Sequence, residues 1–193
     1  MTADTLVTPP YLPRAAAPLD LVAVDGTWNA VTVPALWGRL VLDVLAERSG
    51  PVLEDPAADH LLWVIPPGGA DGWPDATAAG VQVHRQGAEL TVCALDGHWC
   101  GMRWLRVPTT RRWDTDARLL RLGLEWVAGP LADAQPIQVC VSCAAPTRAG
   151  HLLARNLGDT GSGYEVHACP TCWREMTRGG PGRHLHVMKK GPL

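Results

Sequence analysis

Phenylalanine is absent from this chain of 193 residues, although tryptophan occurs nine times. Trp must therefore supply most of the aromatic packing in any core. No apolar run approaches the ~20 residues that a membrane-spanning helix needs, and the first residues lack the positive charge and apolar stretch of a signal peptide. We therefore expect a soluble, cytoplasmic protein without a membrane partner. Its cysteines should be reduced, which favours metal binding over disulfides.

Recognisable catalytic motifs are also missing. The sequence contains no Gly-rich phosphate-binding loop, no nucleophile elbow and no HExxH motif. The scattered polar candidates are Asp25, His84, Asp96 and His98. Both aspartates precede a glycine, as in ordinary turns. These residues by themselves predict no catalytic site.

Charge is distributed unevenly along the chain, although the formal net charge is only -2. From Cys140 to Leu193 there are seven Lys/Arg and three Asp/Glu, whereas residues 1–139 hold ten Lys/Arg and sixteen Asp/Glu. An acidic body thus carries a basic C-terminal part. This distribution predicts that any contact with a polyanion lies at the C-terminal end.

Hydrophobic periodicity predicts an α+β domain with two main helices. The first helix is expected over residues 35–48, directly after Pro34. The second is expected over residues 114–127, with Asp114 or Thr115 as its N-cap. Strands are expected at residues 21–24, 29–33, 60–65, 81–84, 90–94 and 102–107.

Composition divides the chain into five predicted segments. These are an extended, proline-rich leader at 1–18, the α+β domain at 19–128, a linker at 129–137, a small cysteine-containing module at 138–178 and a flexible basic tail at 179–193. The sequence has no internal repeat.

Four cysteines near the C-terminus form two CxxC pairs. Cys140 and Cys143 make the first pair, Cys169 and Cys172 the second, and 25 residues separate the pairs. Such pairs favour a tetrahedral four-thiolate cage for one structural zinc ion, since each tight turn presents two sulfurs to the same metal. The intervening length leaves room for a hairpin or a strand, as in a zinc ribbon. Four thiolates leave no open position for catalysis.

Other interpretations of the cysteines stay open. The four could be unrelated core residues, or one CxxC pair could be redox-active. His151 and His167 lie inside the module and could replace a cysteine ligand, although four cysteines already complete the set.

The basic C-terminal residues suggest a surface for phosphate contacts, with an aromatic ring available for stacking. The candidate nucleic-acid-binding residues are Trp173, Arg174, Arg178, Arg183, Lys189 and Lys190. The alternative is a flexible, solvated tail without a partner.

Several short segments occur in an order that resembles a known family. Residues 49–52 read as a Gly-Pro turn, and residues 60–63 read as a strand that begins with a histidine. Three later strand segments follow at 80–84, 89–94 and 102–104. Over roughly residues 20–127 the chain resembles the bifunctional primase–polymerase N-terminal domain of the archaeo-eukaryotic primase superfamily. The resemblance implies a primase–polymerase-like α+β fold with a mixed, mostly antiparallel sheet.

The chain departs from that family at the positions that carry its chemistry. The family has carboxylates on the strand that here reads 30–34, and a third carboxylate where Gln82 stands. Acidic oxygens are needed to hold the two divalent ions of nucleotidyl transfer. The acidic segment 54–59 replaces the family's Gly-rich nucleotide loop, and only His60 remains as a possible residual site. The resemblance therefore implies a domain without polymerase chemistry.

Three functions remain open from the sequence. The chain is a non-catalytic zinc protein that contacts DNA, RNA or a replication or transcription partner through its ribbon, or a protein–protein adaptor in which zinc is purely structural. The third option is a residual nucleotide-binding enzyme that uses His60.

Overall fold

The computed structural model describes residues 9–12, 18–95, 101–156 and 164–178. The chain forms two compact units, Met1–Pro136 and Ile137–Leu193. Within the described residues, no helix combines the length and the hydropathy that crossing a bilayer requires.

The first unit is a mixed α+β structure with mostly antiparallel sheets, as predicted. Its strands are β1 (Leu19–Ala23), β2 (Asn29–Pro34), β3 (Val52–Asp55), β4 (His60–Ile65), β5 (Gln82–His84), β6 (Glu89–Cys93) and β7 (Arg103–Arg106). Its helices are α1 (Ala35–Leu45) and α2 (Ala117–Ala128), with short 3-10 turns at Ala46–Arg48, Thr77–Ala79 and Leu131–Asp133. Five strands form one sheet in the order β5-β2-β4-β3-β7, and β1 pairs with β6 in a second.

The five-stranded sheet is covered on both faces. The helix α1 packs against β2, β4 and α2 on one face. On the other face, Ala30, Leu62 and Val64 join a core with Val92 of β6 and with Trp28. The central strand β4 is almost continuously buried for this reason. The apolar run at 60–65 therefore predicts a central strand correctly.

Tyr11 belongs to this core, although it lies in the predicted leader. Its side chain is fully buried, its ring packs near Trp28 and Trp104, and its hydroxyl donates a hydrogen bond to the backbone oxygen of Trp113. Burial and the nearby Asp114 carboxyl raise the pKa of Tyr11 well above its usual range. The hydroxyl therefore stays protonated and can act as a donor.

The strand β3 was not predicted, because its sequence reads as part of an acidic segment. Glu54 is only 5% exposed, and its carboxylate accepts hydrogen bonds from Arg39 of α1 and from Arg103 of β7, the latter at 2.7 Å. Two arginines from distant parts of the chain thus compensate a buried charge. The first two residues of the acidic segment 54–59 therefore belong to a paired inner strand.

The N-cap of α2 also differs from the prediction. Asp116, not Asp114 or Thr115, accepts hydrogen bonds from the backbone N–H groups of Arg118 and Leu119, at 2.8 and 3.0 Å. Thr115 instead makes hydrogen bonds to other parts of the chain. It is buried, its N–H donates to the Val64 oxygen at 2.7 Å, and its Oγ1 accepts from the Gly50 N–H at 3.0 Å.

Gly50 is required where the segment 49–50 contacts the segment 114–115, a contact that we call the joint. A Cβ on this residue would lie 2.1 Å from the backbone oxygen of Asp114. Ser49 is buried beside it and accepts a hydrogen bond from the Trp63 indole at 3.1 Å. The segments around residues 49–50 and 114–115 are therefore held together by buried hydrogen bonds.

Replacing Thr115 by Val tests this joint. The substitution keeps the shape of the side chain but leaves the buried Gly50 N–H without its acceptor, which should lower the free energy of unfolding by about 1–3 kcal/mol. Urea denaturation measures the change. Thr91→Val on the exposed side of β6 is the matched control and should change stability by no more than about 0.5 kcal/mol. Equal stability of the two variants would contradict the assigned hydrogen bond.

Candidate metal centre

The described residues of the second unit form four short strands and one helix. The strands are β8 (Gln138–Val139), β9 (Pro146–Thr147), β10 (His151–Asn156) and β11 (Tyr164–Ala168), and the helix is α3 (Pro170–Arg178). Antiparallel pairs form between β8 and β9 and between β10 and β11. The expected hairpin between the CxxC pairs is therefore present among the described residues.

These elements bring all four predicted cysteines together. Cys140 and Cys143 lie in the turn between β8 and β9, Cys169 follows β11, and Cys172 lies in the first turn of α3. Their four sulfur atoms lie within 4.8 Å of one another. The arrangement is a candidate metal site, consistent with zinc binding.

The sulfur separations fit a shared metal ion and not disulfides. The Sγ atoms of Cys143 and Cys169 are 3.9 Å apart. Two Zn–S bonds of ~2.3 Å at a tetrahedral angle place their sulfurs about 3.8 Å apart, whereas a disulfide needs about 2.05 Å. All four residues are free cysteines.

The turn at the first pair is fixed by the backbone. The N–H of Ala144 donates to the Cys140 oxygen at 2.8 Å, and the Cys140 N–H donates to the Ala145 oxygen at 2.9 Å. Ala144 takes a left-handed conformation with φ of 57°. At the second pair, the Cys172 N–H lies 3.5 Å from the Cys169 sulfur. Each CxxC pair is thus closed locally.

The pKa values of Cys140 and Cys172 shift in opposite directions. Backbone N–H groups of Cys169 and Cys143 donate to the Cys140 sulfur and lower its pKa to about 6. In contrast, the hydrogen bond that Cys172 shares with Cys169 raises the pKa of Cys172 to about 12. A bound cation would favour deprotonation of every ligand, since metal binding displaces thiol protons.

The core of this unit is small. Cys140, Ala168 and Cys172 are its buried members, with Leu153, Cys169, Trp173 and Met176 packed against them. Three of these seven residues are candidate ligands. So small an apolar core contributes little stability by itself, which makes metal coordination the main candidate for holding the unit together.

Neither His151 nor His167 belongs to the cluster of sulfurs. His167 is buried, and its Nε2 lies 3.1 Å from the Glu165 carboxylate. His151 is exposed and stacks on Trp173, with ring centroids 5.2 Å apart and an interplanar angle of 16°. Both side chains thus have neighbours other than the four cysteines.

The predicted nucleic-acid-binding residues are only partly described. Trp173 is half-buried, and the His151 ring stacks on its ring. Arg174 is exposed but donates back to the Pro170 oxygen at 3.2 Å, and Arg178 is exposed in the last turn of α3. The other three candidates, Arg183, Lys189 and Lys190, lie outside the described residues.

His60 lines a cavity of about 360 Å³ in the first unit. The wall also contains Thr32, Gln82 and His84, and Thr32 Oγ1 lies 2.9 Å from His84 Nε2. Burial and the neighbouring His60 lower the pKa of His84. The sole acidic residue of the lining is the exposed Asp59. This lining lacks the set of carboxylates that two divalent ions require.

Comparison with protein-family models, with curated proteins and with solved structures finds no match to this chain.

Removal of one sulfur should abolish metal binding. Cys143→Ser replaces an exposed candidate ligand, so purified full-length protein should contain much less bound metal by elemental analysis and should lose helical signal from α3. Cys93→Ala is the matched control, because Cys93 is buried in the core of the first unit. It should retain the metal of the wild type. Equal metal content in the wild type and in Cys143→Ser would rule out the four-cysteine site.

Proposed function

We propose that this chain is a non-catalytic zinc-binding protein that contacts nucleic acid through its C-terminal ribbon. The observation that supports it most is the cluster of Cys140, Cys143, Cys169 and Cys172. Soft thiolates in tetrahedral arrangement select zinc or iron among the common metals. The hairpin and the two closed CxxC turns are typical of a zinc ribbon.

The proposed zinc ion is structural. Four protein thiolates fill a tetrahedral coordination sphere, so no position is left for water or substrate. The ion instead fixes the β8–β9 turn to the start of α3. Its contribution to the folding of so small a unit is on the order of 10 kcal/mol.

The charge of the ribbon supports contact with nucleic acid. Among the described residues of the second unit, Arg148, Arg174 and Arg178 are exposed and carry no ion pair with a carboxylate, whereas Arg155 pairs with Glu165. Exposed arginines on a folded module are suited to phosphate contacts. The exposed His151 ring, seated on Trp173, adds an aromatic surface on which a base can stack.

For the first unit we propose a primase–polymerase-like domain that has lost catalysis. Two arrangements support it. The strands β2, β4 and β5 are neighbours in one sheet, and Thr32, His60 and Gln82 from these strands line one cavity. The primase–polymerase family has carboxylates on the strand 30–34 and at the position of Gln82. In this chain Thr32 and Gln82 lie near His60 and are neutral.

An adaptor function is the second candidate, and one surface favours it. Leu122 and Trp126 lie four residues apart on α2 and are 61% and 78% exposed. Residues at this spacing share a helix face. An exposed Trp beside a Leu is typical of protein–protein contacts. In that function the zinc ion would only shape the second unit.

The proposal predicts one zinc ion per chain. Elemental analysis of the purified, dialysed protein should give zinc at equimolar amount and no iron, and the protein should lack the colour of ferric thiolates. A stoichiometric iron content would exclude zinc as the resident metal.

A mobility-shift series tests the nucleic-acid contact. The full chain should bind a single-stranded oligonucleotide with an affinity that falls as salt rises. Arg174→Gln/Arg178→Gln should weaken binding and reduce the slope of log K against log salt by about 1.4, because each lost phosphate contact in a single strand removes ~0.7. Duplex DNA of the same sequence is compared in parallel.

The control uses a pair of arginines on another helix. Arg118→Gln/Arg121→Gln changes two residues of α2 and should leave both affinity and salt slope unchanged. If neither single-stranded nor duplex DNA binds the wild type, the nucleic-acid proposal fails and the adaptor function becomes the better account.

A further inference from the structure

An arginine-lined cleft lies in the first unit, and its lining contains none of the candidate functional residues that the sequence predicted. Its volume is about 500 Å³, which is within the range of small-ligand sites. The lining residues are Ser49, Gly50, Leu105, Arg106, Val107, Thr109, Arg111 and Arg112. Three of the eight are arginines.

Two of the arginines are anchored by one nitrogen each. Arg112 donates through Nη1 to the backbone oxygens of Glu47 and Ser49, the second at 3.5 Å. Arg106 Nη1 lies 3.4 Å from the Glu47 carboxylate. Among the described residues, Nε and Nη2 of both side chains have no acceptor. Each guanidinium is thus oriented while most of its N–H groups remain available to a ligand.

Arg111 stands at the tip of a tight turn beside them. Paired backbone hydrogen bonds of 2.9 and 3.0 Å join Thr109 to Arg112 and fix this turn. The Arg111 side chain is exposed and makes no hydrogen bond within the described part of the chain. Of the three arginines that line the cleft, only Arg111 lacks a hydrogen bond in the described structure, and the backbone turn alone places it there.

Another part of the cleft lining is held in place by buried hydrogen bonds. It contains Ser49 and Gly50, which the buried hydrogen bonds of Trp63 and Thr115 hold in place. A ligand therefore meets a largely preformed site, and little ordering of the chain opposes binding.

Charge identifies the class of ligand. Residues 1–139 are acidic overall, with ten Lys/Arg against sixteen Asp/Glu, yet three of these ten basic residues line one cleft. The only carboxylate that pairs with them in the described structure is that of Glu47, which is 91% exposed. A local surplus of positive charge with several free guanidinium N–H groups fits a dianion. Planar guanidinium groups match phosphate oxygens in pairs.

We propose that the cleft formed by Arg106, Arg111 and Arg112 binds the phosphate group of a ligand. The cleft shares no lining residue with the cysteine cluster or with the His60 cavity. A phosphate group has two sources here, a small phosphorylated compound or the phosphodiester backbone of a single strand. Both present the same oxygens to the arginines.

Isothermal titration of the full-length protein with pyrophosphate tests the proposal. The wild type should bind it saturably. Arg111→Gln should weaken the affinity about tenfold, since charge-assisted hydrogen bonds are lost, and Arg106→Gln should act similarly. Arg118→Gln, an exposed arginine on α2, is the matched control and should stay within about twofold of the wild type. Circular dichroism checks that each variant is folded.

The ribbon variant Arg174→Gln/Arg178→Gln should bind pyrophosphate as the wild type does, so this test is independent of the proposed contact between ribbon and nucleic acid. Displacement of pyrophosphate by oligothymidylate would support the site with a phosphodiester as its source, and the lack of displacement would support it with a small phosphorylated compound. Absence of saturable pyrophosphate binding, or an equal loss in Arg118→Gln, would overturn the proposal.

Discussion

The close approach of four cysteine sulfur atoms is the constraint on which the second unit depends. Thiolates held within 4.8 Å of one another cannot all be charged unless a cation lies among them, because like charges at that distance oppose ionisation. The backbone nevertheless closes two turns that hold the sulfurs there, and the small core offers few apolar contacts in return. Coordination of a metal at the proposed site would resolve this conflict, and it would join the β8–β9 turn, the end of β11 and the start of α3 at one point.

The first unit accommodates buried charge by a different route. Glu54 is compensated by two arginines, Arg39 from α1 and Arg103 from β7. These partners come from the helix layer and from the sheet edge, so the ion pairs tie both to the inner strand β3. Breaking such an arrangement from one side leaves an uncompensated charge, which is costly in a buried place. In the first unit, arginine side chains compensate a buried negative charge. In the second unit, the proposed metal cation would compensate the negative charge of the thiolates.

The sequence predicted local features well and remote ones poorly. The geometry of each CxxC pair depends on only four consecutive residues, so the cysteine cluster could be predicted from the sequence. The apolar periodicities of α1 and of β4 likewise lie within single elements. In contrast, β3 was missed because the burial of Glu54 depends on partners at positions 39 and 103. The arginine cleft could not be predicted either: Arg111 and Arg112 are an ordinary basic pair until a turn places them beside Arg106 at the end of β7.

The four-cysteine cluster has a further consequence for the electrostatics of the ribbon. A zinc ion with four thiolates carries two negative charges in total, which offset half of the surplus of four positive charges between Cys140 and Leu193. A metal-free module with protonated thiols would therefore be more basic than the metal-bound one. Loss of the proposed ion would thus raise the electrostatic attraction of this module to any polyanion, while it would remove the link between the β8–β9 turn and α3. The proposed metal would therefore lower the net positive charge of the module and fix its shape at the same time.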